Sequence, residues 1–135
     1  MSQNKHPMKI AMVIVFVEDP VKAFKYYTEV LGFDEVMYSP ENYLAIVKSP
    51  LDPKGVSILL EPTEPGGIEI AKKYKKELYN MGMPVISFSA ENIKKTVEEL
   101  KSKGVIFKKE ITKNDWGTDA IFDDSNGNYI QLYQL

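Results

Sequence analysis

The sequence predicts an α+β fold built from two βαβββ units, with the two sheets curved around a shared cavity. Three observations carry that prediction. Apolar residues alternate along short runs of strand length, the segments with helical apolar spacing are few, and the whole pattern occurs twice. Asp19 to Asn92 spans 73 residues, while Gly32 to Gly104 and Ile58 to Ile130 each span 72. A near-constant offset that carries turn, helix stop and strand together marks an internal duplication.

Taken in order, residues 9–17 (KIAMVIVFV) form a nearly continuous β-branched run of one strand's length. Asp19 suits an N-cap and Pro20 the first helical position. Ala23, Phe24, Tyr27 and Leu31 then recur at helical spacing, and Gly32 ends the helix. Residues 33–38, 43–48 and 56–61 read as three further strands, separated by Ser39-Pro40 and a turn at 50–55. Residues 62–67 (PTEPGG) form a linker. A helix over 68–80 follows, with Ile70, Ala71, Tyr74, Leu78 and Met81 along one stripe and four lysines opposite. Two readings of that helix stand: a connector packed on the sheet, or a lid over a cavity mouth. The first pattern then returns. Residues 84–90 give a strand, Glu91-Asn92 a turn and N-cap, and Ile93, Val97 and Leu100 an apolar stripe ending at Gly104. Strands follow at 105–109, 118–122 and 128–133. Residues 1–135 thus read as one domain, with repeat one over about 9–61, the connector helix over about 68–80 and repeat two over about 84–133.

A chain of 135 residues with 44% hydrophobic content can bury a core without staples. Its formal charge of −2 and pI near 5.5 give no electrostatic basis for nucleic acid or an anionic membrane as partner. It has no cysteine, which removes disulfides, thiolate metal sites and thiol nucleophiles. Its single histidine, His6, stands in a polar N-terminal tail expected to fray. No apolar run approaches a membrane span, and residues 1–8 lack the apolar centre of a signal peptide, so a soluble cytoplasmic protein is expected. No Gly-rich phosphate loop and no Ser/His/Asp constellation is present.

Strand parity assigns the two faces of each sheet. The helices cover Val13, Val15 and Val17, then Ile86 and Phe88, then Ile130 and Leu132. The other face receives Met12, Ile14 and Phe16, Ser57, Leu59 and Glu61, Val85 and Ser87, and Tyr129, Gln131 and Tyr133. Such a face, mainly apolar and aromatic with a few polar groups, has the make-up of a small-molecule site. The candidate ligand-binding set is Met12, Ile14, Phe16, Tyr43, Leu59, Glu61, Ser87, Trp116, Tyr129, Gln131 and Tyr133. Glu61 is the carboxylate that parity leaves on this side. It is the candidate catalytic acid or base, or else a hydrated strand-end residue paired with a lysine. Trp116 is a stacking wall for a planar ligand or an anchor of the sheet rim. Tyr129 and Tyr133 carry the same two readings, with a dimer contact as a further one for Tyr133.

Several motifs add a resemblance. Val17-Glu18-Asp19-Pro20 forms the strand-to-helix turn, Leu31-Gly32-Phe33 closes the first helix, and Trp116-Gly117 precedes the seventh strand. Asp124-Ser125-Asn126-Gly127-Asn128-Tyr129-Ile130-Gln131-Leu132 ends the chain. Together with the repeat, from Lys9 onward, they resemble the vicinal oxygen chelate superfamily, which includes glyoxalase I, extradiol dioxygenases, fosfomycin-resistance enzymes and bleomycin-resistance proteins. The resemblance implies a homodimer whose cavity is formed or closed by both subunits. Its metal-dependent members place His or Glu ligands at positions that here fall on Met12, Leu59, Val85 and Gln131. These offer at most one amide oxygen where a divalent ion needs several oxygen or imidazole donors, so no metal and no cofactor are expected. The expected function is metal-free binding of a small aromatic or amphipathic molecule, in the manner of bleomycin-resistance proteins. The alternative is a glyoxalase-like lyase or isomerase with a non-standard site.

Overall fold

The computed structural model describes residues 7–64 and 67–134; His6 and the middle of the 62–67 linker lie outside them. Strand β1 (Met12–Val17) runs into helix α1 (Pro20–Lys25), capped by Asp19, whose Oδ1 accepts from the Val21 amide at 2.9 Å. The helix then widens into a π-helical turn over Tyr26–Val30, closed by the Leu31 amide on the Tyr26 carbonyl at 3.1 Å. The apolar spacing foretold only an ordinary helix here. In the wider turn both neighbouring tyrosines reach repeat two: Tyr27 Oη donates to Asp124 Oδ2 at 2.7 Å and Tyr26 Oη to the Asp123 carbonyl at 3.4 Å. Gly32, at φ 81, then turns the chain.

Strands β2 (Asp34–Ser39), β3 (Leu44–Lys48) and β4 (Ser57–Pro62) complete the first unit. After α2 (Glu69–Asn80) the second unit comprises β5 (Pro84–Ser89), α3 (Ile93–Ser102), β6 (Phe107–Asn114), β7 (Gly117–Asp123) and β8 (Tyr129–Gln134). The sheets have the same topology, β1-β4-β3-β2 and β5-β8-β7-β6. In each the first and last strands pair parallel and the other pairs are antiparallel. The duplication read from the sequence is therefore a duplication of fold. Strand β6 begins later than residues 105–109 imply, because Val105 follows the Gly104 helix stop into the core.

Alternation decides what is buried. Val15, Val17, Ile58 and Leu60 pack with Ala23 and Tyr27 in one cluster; Ile130, Leu132 and Phe122 pack with Ile93 and Val97 in the other. Tyr26, Leu31, Val85, Ile86 and Phe88 pack against both clusters, so the two cores meet. Burying each such side chain contributes about 1.5–3 kcal/mol.

Helix α2 keeps Ala71 and half-buried Leu78 of its predicted stripe inward but not the rest. Ile70, Tyr74 and Met81 are exposed (75, 57 and 71%), while Ala71 and Lys75 turn inward. The reason is local chemistry. Ala71 is small enough for the helix to settle close to the protein. Tyr79 stacks on Tyr129 with centroids 4.4 Å apart and donates to Asp123 Oδ2 at 2.6 Å. These polar and aromatic contacts set the helix's rotation, and Ile70 is left outward.

Candidate functional site

The open faces of the two sheets are built by the expected parity except at Val85, which lies at a register shift between Pro84 and Ile86 and packs against both cores. On the first sheet Ile14 lies beside Leu59, Phe16 beside Glu61 and Met12 beside Ser57, with Ile46 of β3 on the other side of Leu59. On the second, Ser87 lies beside Gln131 and Asp119 beside Tyr133. The matching pair in the duplication is apolar in one repeat, Ile14 and Leu59, and polar in the other, Ser87 and Gln131.

The polar half is a connected network. Ser87 Oγ donates to Gln131 Oε1 at 2.5 Å, and Gln131 Nε2 donates to Asp119 Oδ2 at 3.1 Å. Asp119 Oδ1 accepts from Lys109 Nζ at 2.8 Å and from Asn114 Nδ2 at 3.0 Å. Asp119 is 3% exposed. Burial by itself pushes its carboxyl up, but the hydrogen bonds from Lys109, Gln131 and Asn114 together outweigh burial and hold it below the usual carboxylate range. Trp116, half exposed, meets Tyr133 edge to face with centroids 6.2 Å apart, and so forms an aromatic corner beside this network.

The predicted set is thus gathered in part. Ser87, Gln131, Tyr133 and Trp116 stand together on the second sheet. Met12, Ile14, Phe16, Leu59 and Glu61 stand together on the first. Tyr129 is stacked beneath Tyr79, with Lys108 Nζ 5.9 Å from its ring centroid. Tyr43 stands apart, in a cleft of about 960 Å³ bordered by α2 and the β7–β8 turn. Ile14 and Phe16 border a niche of about 90 Å³ with Tyr74, Lys75 and Val85. A third cleft, of about 610 Å³, opens between the repeats against Leu31, Phe33, Leu51 and Phe88, and Ser87 reaches it. In the single chain the open faces meet solvent, with Ile14 57% and Trp116 50% exposed.

Sequence reasoning missed Asp119, Lys109 and Lys75. A signal for Asp119 existed: parity along residues 118–122 puts Ala120 and Phe122 in the core and Asp119 opposite Tyr133. Lys75 had none, because a lysine among lysines on a helix reads as solvent-facing.

The residues at the metal-ligand positions do not fit a divalent cation. Met12 and Leu59 offer no hard donor, and Gln131 uses its amide oxygen for Ser87 and its amide nitrogen for Asp119. Among the described residues no group of three or more His, Cys, Asp or Glu could hold a metal ion. The Asp-x-x-Gly-Asn turn has a structural task instead. Asp124, fully buried, accepts from Tyr27, from the Asn126 and Asn128 amides and from Asn128 Nδ2. Asn128 Nδ2 also donates to the Phe16 carbonyl at 2.8 Å, tying repeat two to β1. No helix among the described residues is long and apolar enough to cross a membrane.

Comparison with known proteins follows the same lines. Residues 9–132 match the family model of the Glyoxalase/Bleomycin resistance protein/Dioxygenase superfamily. Uncharacterized protein YurT of Bacillus subtilis (strain 168) is 40% identical over 130 residues, covering 94% of this chain and 99% of YurT. Glyoxalase I of Saccharomyces cerevisiae (strain ATCC 204508 / S288c) is 32% identical over 136 residues, covering 86% of this chain and 41% of that protein. The crystal structure of TnmS3, an antibiotic binding protein from Streptomyces sp. CB03234, superposes with a TM-score of 0.74 at 21% identity, covering 97% of this chain and 98% of TnmS3. At that identity the likeness is one of fold.

Proposed function

This chain belongs to the glyoxalase/bleomycin resistance/dioxygenase superfamily, and from that premise we propose that it is a metal-free binding protein for a small aromatic or amphipathic molecule. The observation that carries the reading is Gln131. It occupies a ligand position of the metal-dependent relatives, yet both ends of its amide are committed to Ser87 and Asp119. The Trp116–Tyr133 corner offers a stacking surface, and Met12, Ile14, Phe16 and Leu59 an apolar floor. That TnmS3 is an antibiotic binding protein on the same fold supports binding as the task.

The protein acts as a homodimer with two equivalent sites, each face completed by the partner. The exposed apolar residues of β1, with Ile70 and Tyr74 of α2, favour this, since such patches on monomers are usually covered. A second reading, a glyoxalase-like lyase or isomerase, is favoured by the 32% identity to glyoxalase I. Glu61, beside Phe16, is then its candidate acid or base.

Calorimetry with a planar aromatic ligand found by screening tests the proposal. Trp116→Ala removes a large contact surface and should weaken binding more than Gln131→Leu, whose amide is already bonded to Ser87 and Asp119. Unchanged affinity in Trp116→Ala would place that ring outside the site.

A further inference from the structure

Lys75 is a largely buried cationic side chain that borders the niche beside Ile14 and Phe16 but takes no part in the Gln131 network. It lies on the inner side of α2 with 6% of its surface exposed. Its Nζ rests against Gly127, where any Cβ would collide with it. Among the described residues Lys75 Nζ takes part in none of the three ion pairs, whereas neighbouring Lys72 is paired with Glu64. Lys75 borders the cleft of about 960 Å³, which Glu18, Tyr79, Asp123 and Ser125 also line. The carboxyl carbon of Glu18 lies 3.7 Å from where a Gly127 Cβ would stand, on the same turn.

Burying most of the side chain raises the cost of its ammonium relative to an exposed lysine, so the neutral amine is easier to reach here than on the surface. Burial pulls Lys75 below the usual lysine range, and the charges of Glu18, Asp124 and Asp123 oppose this only in part. Lys72 and Lys76 of α2 also line this cleft, but both are exposed; Lys75 is the one of the three that is buried, with the Glu18 carboxylate nearby to relay protons.

We propose that Lys75 is a nucleophilic site of this cleft, which takes a small aldehyde or ketone as an imine. The Nζ lone pair forms the bond to the carbonyl carbon, and a proton passes from nitrogen to the carbonyl oxygen through Glu18, giving a carbinolamine. Loss of the second N–H proton and of the hydroxyl then breaks the C–O bond, expels one water and leaves the C=N bond. No oxidant or reductant takes part. The site is distinct from the Gln131 network, so its failure would leave the proposed binding function standing.

The test is reductive trapping on the full chain, with propanal as carbonyl probe and cyanoborohydride as trap at neutral pH. Peptide mass mapping then compares Lys75 with exposed Lys73 on the same helix. Lys75 should be propylated severalfold faster than Lys73. Lys75→Met, shown folded by circular dichroism, should lose that fast phase while Lys73 labelling is unchanged. Glu18→Gln should slow Lys75 labelling and leave Lys73 unaffected. Labelling of Lys75 at or below the rate of Lys73 overturns the proposal, whether an anion holds it as ammonium or no carbonyl reaches it.

Discussion

Tyr27→Phe removes a single oxygen from the contact that joins the two repeats. Tyr27 and Asp124 are both fully buried, and the Oη–Oδ2 distance is 2.7 Å. Phe fills the same space, so no cavity term enters, and what is lost is a hydrogen bond to a carboxylate. Such a bond contributes about 1.5–3 kcal/mol, and Oδ2 keeps only Asn128 Nδ2, at 3.0 Å. For a chain of this size that loss lowers Tm by roughly 6–12 °C. Tyr26→Phe is the control, because its hydroxyl makes only a 3.4 Å contact and should cost less than about 0.5 kcal/mol. The effect also has a sign in pH. Burial pushes the Asp124 carboxyl up, and the hydrogen bond from Tyr27 is the first of several that partly pull it back. In the Phe variant the carboxyl therefore rises further, and ionising it in the folded state becomes harder. Relative to wild type, the variant should be least stable at pH 7, and the gap should narrow as pH falls from the variant's raised folded-state value of Asp124 to the wild-type one. Urea unfolding followed by far-UV circular dichroism at several pH values measures this. A Tyr27→Phe protein as stable as Tyr26→Phe would refute the contact as a clasp between the repeats.

Three further outcomes are expected. Elemental analysis of protein freed of any affinity tag should find well under one equivalent of Ni, Zn, Fe or Mn per chain, and near-stoichiometric metal would contradict the reading of Gln131. Light scattering at micromolar concentration should give twice the 15.4 kDa chain mass, against a monomer mass if the open faces are not an interface. Asp119→Asn should cost about 1.5–3 kcal/mol at pH 7 through its ion-paired hydrogen bond to Lys109. Because Asp119 is held below the usual carboxylate range, that contribution is present above the ordinary value and is lost as pH falls through the folded one. Equal stability of variant and wild type at pH 7 would remove the network's structural role.

The fold was legible because its two signals are strong and mutually consistent. Alternation puts Val15, Val17, Ile58, Leu60, Ile130 and Leu132 inside with no exception among them, and the duplication is matched by one strand order in both sheets. What was not legible depends on tertiary contacts. The π-helical turn at Tyr26–Val30 is specified by where the two tyrosine hydroxyls go, in repeat two, and not by local spacing. The rotation of α2 follows Tyr79 onto Asp123 and Tyr129, so of the expected stripe Ala71 stays inward while Ile70, Tyr74 and Met81 point outward. Asp124 and Asn128 entered as family markers, and only the structure shows them as a buried clasp. The open face followed from parity, Ser87 and Gln131 included; Asp119 on the neighbouring β7 was missed although the same parity sets it opposite Tyr133.

Trp116, the single tryptophan, supplies the decisive measurement, because its ring stands at the aromatic corner of the proposed site. Protein stripped with a chelator and kept metal-free is titrated with planar aromatic compounds while Trp116 emission is followed. Saturable quenching at one ligand per chain, unchanged by added Ni, Zn or Mn and without consumption of the ligand, is the predicted result. Binding that appears only after a divalent metal is restored, or turnover of the bound compound, would contradict a metal-free binding protein.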